Sequence, residues 1–220
     1  LEEFDKPAIS TPLIEQGKSQ KLLYANNPEK PDCIALSFDD GPHATLTDEI
    51  LDILKEYGVK ATFFMIGENA AAHPDTVRRV IEEGHEIGNH TYSHKKASTL
   101  TSDMLKQELC KSDAFFEEQF SYKPTLFRPP AGDIGEETLE TVNELGYTCV
   151  LWAWRVDTRD WASPSVEQVV STVTNNVRGG DIILFHDYIV GKSPTPGALR
   201  VLLPYLTEKY TVVTVSELLA

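Results

Sequence analysis

About seven short apolar runs recur along the chain, at 33–38, 61–66, 86–88, 126–127, 148–154, 181–185 and 211–215. Each is too short for an ordinary helix and reads as a strand. Between them, apolar residues recur at helical spacing: Leu46, Ile50, Leu51, Ile53, Leu54 and Tyr57; Val77, Val80 and Ile81; Met104, Leu105, Leu109 and Phe116; Leu139, Val142 and Leu145; Val166, Val169, Val170, Val173 and Val177; and Leu199, Leu202, Leu203 and Leu206. Several of these stretches close on a glycine able to take the left-handed cap, at Gly58, Gly84 and Gly146. Ser163 and Pro164 are expected as N-cap and first residue of the fifth helix. Strand and helix in alternation around one core predict parallel strands with right-handed crossovers, hence a doubly wound sheet or a (β/α) barrel.

The polar residues favour the barrel. Asp39 and Asp40 end the first run, His90 the third, Arg128 the fourth, Asp157 and Asp160 the fifth, and His186 and Asp187 the sixth. Ligand sites in parallel α/β folds lie at the carboxyl ends of strands, and only in a barrel do all those ends surround one mouth.

A chain of 220 residues supports one large domain of this kind. Residues 1–31 carry Pro7, Pro12, Pro28 and Pro31 among polar residues and read as an N-terminal arm or linker, leaving 32–220 as one catalytic domain. The formal charge of −14 argues against nucleic acid or an anionic membrane as partner, since both are polyanions. Cys33, Cys110 and Cys149 form no paired motif, and Cys33 and Cys149 read as small buried hydrophobes. No window approaches the ~20 apolar residues of a membrane span. The chain opens on Leu1 rather than Met, so a leader or anchor is expected to lie outside it.

Neighbouring carboxylates repel unless a cation or proton lies between them, so Asp39-Asp40 needs a reason. Beside Gly41-Pro42 the pair also suits a solvated turn. His90 and His94 are four apart, and a local helical turn would aim both at one ion, giving with a carboxylate an open metal site. In Arg128-Pro129-Pro130-Ala131-Gly132 the prolines stiffen the backbone, and the arginine is placed to hold a carboxylate by one or two charge-assisted bonds. Trp161 offers an aromatic wall or an ordinary core residue, and His186 a catalytic or a structural histidine.

These segments, Ser-Phe-Asp-Asp-Gly at 37–41, His-Thr-Tyr-Ser-His at 90–94, Arg-Pro-Pro-Ala-Gly at 128–132, Asp-Thr-Arg-Asp-Trp at 157–161 and Leu-Phe-His at 184–186, resemble in order and texture those of the NodB-homology polysaccharide deacetylases, the fourth family of carbohydrate esterases. The resemblance implies a distorted (β/α)7 barrel of parallel strands with the active site at the strand ends. It implies Asp40, His90 and His94 as ligands of one divalent ion, zinc foremost, with cobalt or nickel as alternatives. Asp39 would be the general base, held by Arg128, and His186 the general acid, tuned by Asp160 or Asp157. Leu184 and Trp161 would line the pocket for the acetyl methyl. One departure is Ala131, where similar enzymes often carry tyrosine. The role implied there is a backbone N–H for the oxyanion, which any residue but proline can donate, but an aromatic wall is lost. The groove is then more open, or is completed by Tyr92, Trp161 or Tyr188.

The function so implied is metal-dependent removal of N-acetyl groups from N-acetylglucosamine-containing glycans, peptidoglycan or chitin and its oligomers, by a monomer acting outside the cell or at its surface. The alternatives are an O-acetyl esterase on acetylated xylan and, in another class, a non-catalytic carbohydrate-binding domain. A metal-dependent phosphoesterase would need a phosphate cradle or a second ligand set that is not evident here.

Overall fold

The structure is a computed structural model that describes residues 23–220. Among them, eight strands form one sheet: β1 (Leu23–Tyr24), β2 (Cys33–Asp39), β3 (Thr62–Met65), β4 (Glu86–Asn89), β5 (Leu126–Phe127), β6 (Thr148–Val150), β7 (Ile182–His186) and β8 (Thr211–Val213). Their order is β1-β6-β5-β4-β3-β2-β7, all parallel, with β8 paired to the first half of β2. The helices are α1 (Leu46–Glu56), α2 (Gly67–Ala72), α3 (Pro74–Glu82), α4 (Ser102–Phe120), α5 (Glu136–Glu144), α6 (Val166–Asn176), α7 (Thr195–Lys209) and α8 (Val215–Leu219). Every stretch with helical spacing is a helix; α2 and α8, too short to show a period, were not legible.

The sheet curls into the distorted barrel. The run expected as one strand over 148–154 ends at Val150, because the chain there turns across to β7. Ala153 N–H donates to Ile182 O at 3.0 Å, and Asp157 bridges Leu184 in parallel fashion. Irregular backbone thus closes the ring where a regular ladder would not reach.

Alternation along the strands separates two cores. Ile34, Leu36 and Phe38 of β2 and Ile183 and Phe185 of β7 face outward and pack with Leu51, Leu54, Val77, Val80, Val173 and Leu202 of the helices. Ala35, Ile182 and Leu184 belong to the other cluster, with Phe64, Phe127 and Cys149. The same period carries Ser37 and Asp39 inward on β2 and His186 inward on β7, and the ladder pairs Asp39 with His186. Parallel strands covered on both faces explain why these runs are almost continuously apolar.

Gly58, Gly84 and Gly146 are left-handed, as expected. The cap of α6 is different: Ser165, not Ser163, accepts Gln168 N–H, while Gln168 Oε1 accepts Ser165 N–H at 2.8 Å. Ser163 has φ of 56°, outside the extended range an N-cap needs. Of the arm expected over 1–31, residues 1–22 lie outside the described residues. From Leu23 onward the backbone docks on the domain: Leu23 is buried and pairs with Cys149, and Asn27 Nδ2 donates to Leu218 O at 2.8 Å. All three cysteines are free, with Cys149 buried and Cys33 only half-buried. No helix among the described residues is long and apolar enough to cross a membrane.

At the other end of β4 from the mouth, His85 is buried with its Nδ1 accepting Ala61 N–H at 3.1 Å and its ring edge-on to Phe63. Burial, reinforced by the Lys60 charge, pushes its pKa from 6.5 down to about 4. The unfolded chain therefore takes up this proton first, so the stability from neutral His85 is complete above pH 6.5 and is lost as pH falls toward 4. At about 1.4 kcal/mol per pH unit the loss is on the order of 3 kcal/mol. Urea unfolding between pH 7 and 4 should show that slope in the parent and lose it in His85→Gln; an equal slope in both would exclude His85 as its source.

Candidate active site

The ends of β2, β4, β5 and β7 and the segment after β6 bring the expected residues to one cavity of about 540 Å³. Asp39, Asp40, His90, His94, Ala131, Trp161, Leu184 and His186 line it, together with Trp152, Asp157 and Arg159. Arg128 and Asp160 lie behind this wall, fully buried, each touching a lining residue.

Arg128 donates Nη1 to Asp39 Oδ1 at 2.7 Å and to Ser37 Oγ at 2.9 Å. Its Nε reaches Val150 O at 3.2 Å and Nη2 reaches Leu151 O at 2.9 Å. The bond to Asp39 is thus single, not a two-pronged fork, because Nε and Nη2 are turned to the carbonyls at the end of β6. The guanidinium carbon stands 4.0 Å from the centre of the Phe64 ring. Burial lowers the Arg128 pKa from its usual range and the Asp39 carboxylate opposes that.

Asp40 Oδ1 lies 3.3 Å from His90 Nε2 and 3.0 Å from His94 Nε2. These three candidate ligand atoms lie within 4.8 Å of one another. His90 Nδ1 meets Arg128 O at 2.7 Å, which sets its tautomer and turns Nε2 toward Asp40. No helical turn aims the two histidines: residues 90–96 are irregular, with Thr91 and His94 left-handed. The loop is held instead by Asn89 Oδ1, which accepts Thr91 N–H at 2.9 Å, and by Glu108, which accepts Tyr92 and Ser93 N–H groups. Burial would raise the Asp40 pKa, but the hydrogen bonds to both imidazoles hold it well below the usual carboxylate range. The bond to Asp40 in turn raises His94. Two imidazoles and one carboxylate fit a single divalent ion with positions left open.

Asp160, rather than Asp157, partners His186. Its Oδ1 lies 2.7 Å from His186 Nδ1, and its Oδ2 accepts His186 N–H at 2.8 Å and Thr195 Oγ1–H at 2.6 Å. His186 Nε2 is left for the cavity. Burial disfavours the imidazolium, yet Asp160, with Asp40 and Asp39 beyond it, raises the His186 pKa from 6.5 to about 9. Asp157 instead accepts Arg159 N–H across a left-handed turn.

Of the aromatics expected to complete the groove, Trp161 lines it, 58 % exposed. Tyr92 instead carries Lys111 over its ring, and Tyr188 packs edge-on with His43. The second aromatic wall is Trp152, which sits inside an apolar run and carries no signal in the sequence that separates it from core. Ala131, at φ of 58°, lies in a turn whose next two N–H groups are bound to Pro129 and Pro130 carbonyls.

Residues 26–150 match the family described as polysaccharide deacetylase. The chain belongs to that family. This deacetylase is 46 % identical over 193 residues to a peptidoglycan-N-acetylglucosamine deacetylase of Bacillus cereus, covering 87 % of this chain and 90 % of that one. Its fold superposes on a crystal structure of a peptidoglycan N-acetylglucosamine deacetylase in complex with 4-naphthalen-1-yl-N-oxidanyl-benzamide at a TM-score of 0.88, with 35 % identity and 92 % and 95 % of the two chains covered. A family 4 acetyl xylan esterase from Clostridium thermocellum, solved with a cobalt ion, is similar at a TM-score of 0.77 and 35 % identity, over 84 % of this deacetylase and 89 % of the esterase.

Arg128→Leu would strip Asp39 and the Val150 and Leu151 carbonyls of their buried donor. A destabilisation of about 3–5 kcal/mol is expected, by analogy with breaking other buried ion pairs. Denaturant unfolding measures it, and a loss below about 1 kcal/mol would show that these groups find other partners.

Proposed function

We propose that this chain hydrolyses the N-acetyl groups of N-acetylglucosamine units in a glycan, peptidoglycan before chitin oligomers, with one divalent ion held by Asp40, His90 and His94. Zinc suits this donor set best, cobalt and nickel being the alternatives. The observation that carries the reading is the ladder pair Asp39–His186, which places a carboxylate and an imidazole side by side at the mouth next to the ligand cluster.

A divalent ion bound there supplies Lewis acidity to an acyl oxygen and to water. Asp39 has Oδ1 tied to Arg128 and Oδ2 turned toward His90 Nε2 at 3.9 Å, so Oδ2 is the oxygen that takes a proton from the attacking water. The N–H of Ala131 donates to the oxyanion that develops. His186, with Nδ1 on Asp160 and a pKa raised to about 9, carries its proton at neutral pH and delivers it from Nε2 to the leaving amine. Leu184, Trp152 and Trp161 form the apolar wall for the acetyl methyl.

An amine leaves too poorly without a proton, which is why cleavage of an amide needs this separate acid. An acetate ester needs it less, so the same residues serve an O-acetyl esterase on acetylated xylan, the second reading, which the resemblance to the acetyl xylan esterase supports. A purely carbohydrate-binding role would have no use for a carboxylate and an imidazole paired at the mouth in this way. A peptidoglycan substrate places the working protein outside the cell membrane, and we propose that it acts as a monomer.

Acetate release from peptidoglycan, chitin oligomers and acetylated xylan decides between these readings. Release from the N-acetylated polymers should stop on chelation and return with zinc; release from xylan alone would favour the esterase, and no metal-responsive release from any of them would sink the enzymatic reading. His186→Ala should slow amide cleavage at least ~100-fold, the usual scale of general acid catalysis, and cleavage of an activated aryl acetate far less. Equal damage to both would remove His186 from the acid role.

A further inference from the structure

The strand-end carboxylate Asp40 stands on left-handed backbone, with φ of 78°. This conformation is disfavoured for any residue with a side chain and persists where neighbouring bonds impose it. Three elements supply those bonds. Asn69 of α2 donates Nδ2 to Asp40 O at 2.7 Å. Ile66, just past β3, donates its N–H to Gly41 O at 3.0 Å. Asp187, just past β7, accepts Gly41 N–H on Oδ1 at 3.0 Å.

Asp187 has no place in the chemistry described above. It does not line the cavity, and it is fully buried. Its Oδ2 accepts Thr47 Oγ1–H at 2.7 Å, and Thr47 Oγ1 also accepts His43 N–H at 2.8 Å. One carboxylate therefore ties the peptide after Asp40 to the first turn of α1. The space is used fully: a Cβ on Gly41 would stand 2.0 Å from Asp187 Oδ2. A buried carboxylate with such partners is costly to keep for packing alone, since an apolar side chain of similar size fills a core at lower cost.

We propose that Asp187, assisted by Asn69, is a positioning residue that sets the metal affinity of the site by holding Asp40 in its left-handed conformation. The inference rests on Asp40, His90 and His94 being the ligands. Asp187 acts on the peptide N–H of Gly41 and Asn69 on the carbonyl of Asp40, so the plane of the peptide between them is clamped from both sides. With that plane free, Asp40 relaxes toward extended backbone, and its Oδ1 swings away from the two Nε2 atoms. Asn69 lies at the half-buried surface of a short helix and touches Asp40 through its amide, so the two residues can be varied independently.

The test is the dissociation constant for Co2+ and Zn2+ of the folded, metal-free full chain, measured by competition with a chelator and by the intensity of the visible Co2+ band. Asp187→Ala should weaken binding about 10–100-fold, the usual effect of removing an outer partner of a ligand. Asp187→Asn, whose amide oxygen still accepts from Gly41, should restore affinity to within a few-fold, and Asn69→Ala should weaken binding in the same direction. A folded Asp187→Ala protein with parental affinity and an unchanged Co2+ band would overturn the proposal, whatever its melting temperature. If Asp187→Ala fails to fold, Asn69→Ala decides in its place, parental affinity again overturning the proposal. Asp40→Ala is the control: should it bind metal as well as the parent, the ligand assignment itself fails, whereas its loss beside an unaffected Asp187→Ala condemns the positioning role alone.

Discussion

The buried guanidinium of Arg128 is the interaction on which fold and site both depend. Arg128 follows β5, whereas Ser37 and Asp39 belong to β2, and β4 and β3 lie between those strands in the sheet. One side chain can join them only if the sheet curls. Its other donors take the Val150 and Leu151 carbonyls, at the end of β6 where the chain turns to close the ring. A cation at this depth needs an anion and neutral acceptors, and both come from the barrel it holds together. The Asp39 carboxylate is thereby oriented with one oxygen on the arginine and the other on the cavity side.

A second constraint is the conformation of the strand-end loops. Asp40, Thr91, His94, Ala131 and Arg159 all have positive φ, and all lie at the mouth of the barrel. Such residues each cost of order 1–2 kcal/mol and are kept where surrounding bonds leave no alternative. Here the bonds come from side chains behind the site: Asn89 and Glu108 for the histidine loop, Asn69 and Asp187 for the aspartate pair. The strands bring the chemistry to one end, and these loops aim it.

Much of this was legible in the residues themselves. The apolar runs at 33–38 and 181–185 marked strands that end on Asp39 and His186, and helical spacing marked the six longest amphipathic helices, because both signals are local. Ser165-Glu167-Gln168 contained the capping box of α6, and Ser-Pro two residues earlier was the stronger but misleading cue. The histidine spacing suggested a helical turn, and the histidines converge by another route, since left-handed residues at 91 and 94 bring the rings together without one. Trp152 was hidden because an aromatic in an apolar run looks the same whether it faces core or cavity.

The alternation of the longer strands and helices from Cys33 onward, and the identity of the side chains at the strand ends, were determined by the sequence alone, because periodicity and short motifs are written in neighbouring residues. Which oxygen of Asp39 meets Arg128, that Asp160 and not Asp157 holds His186, and that Asp187 grips Gly41 were decided only by tertiary structure. The last of these joins residues 146 apart. Contacts of that kind depend on the curl of the sheet and on where the segment after β6 crosses to close it, and no local pattern encodes either.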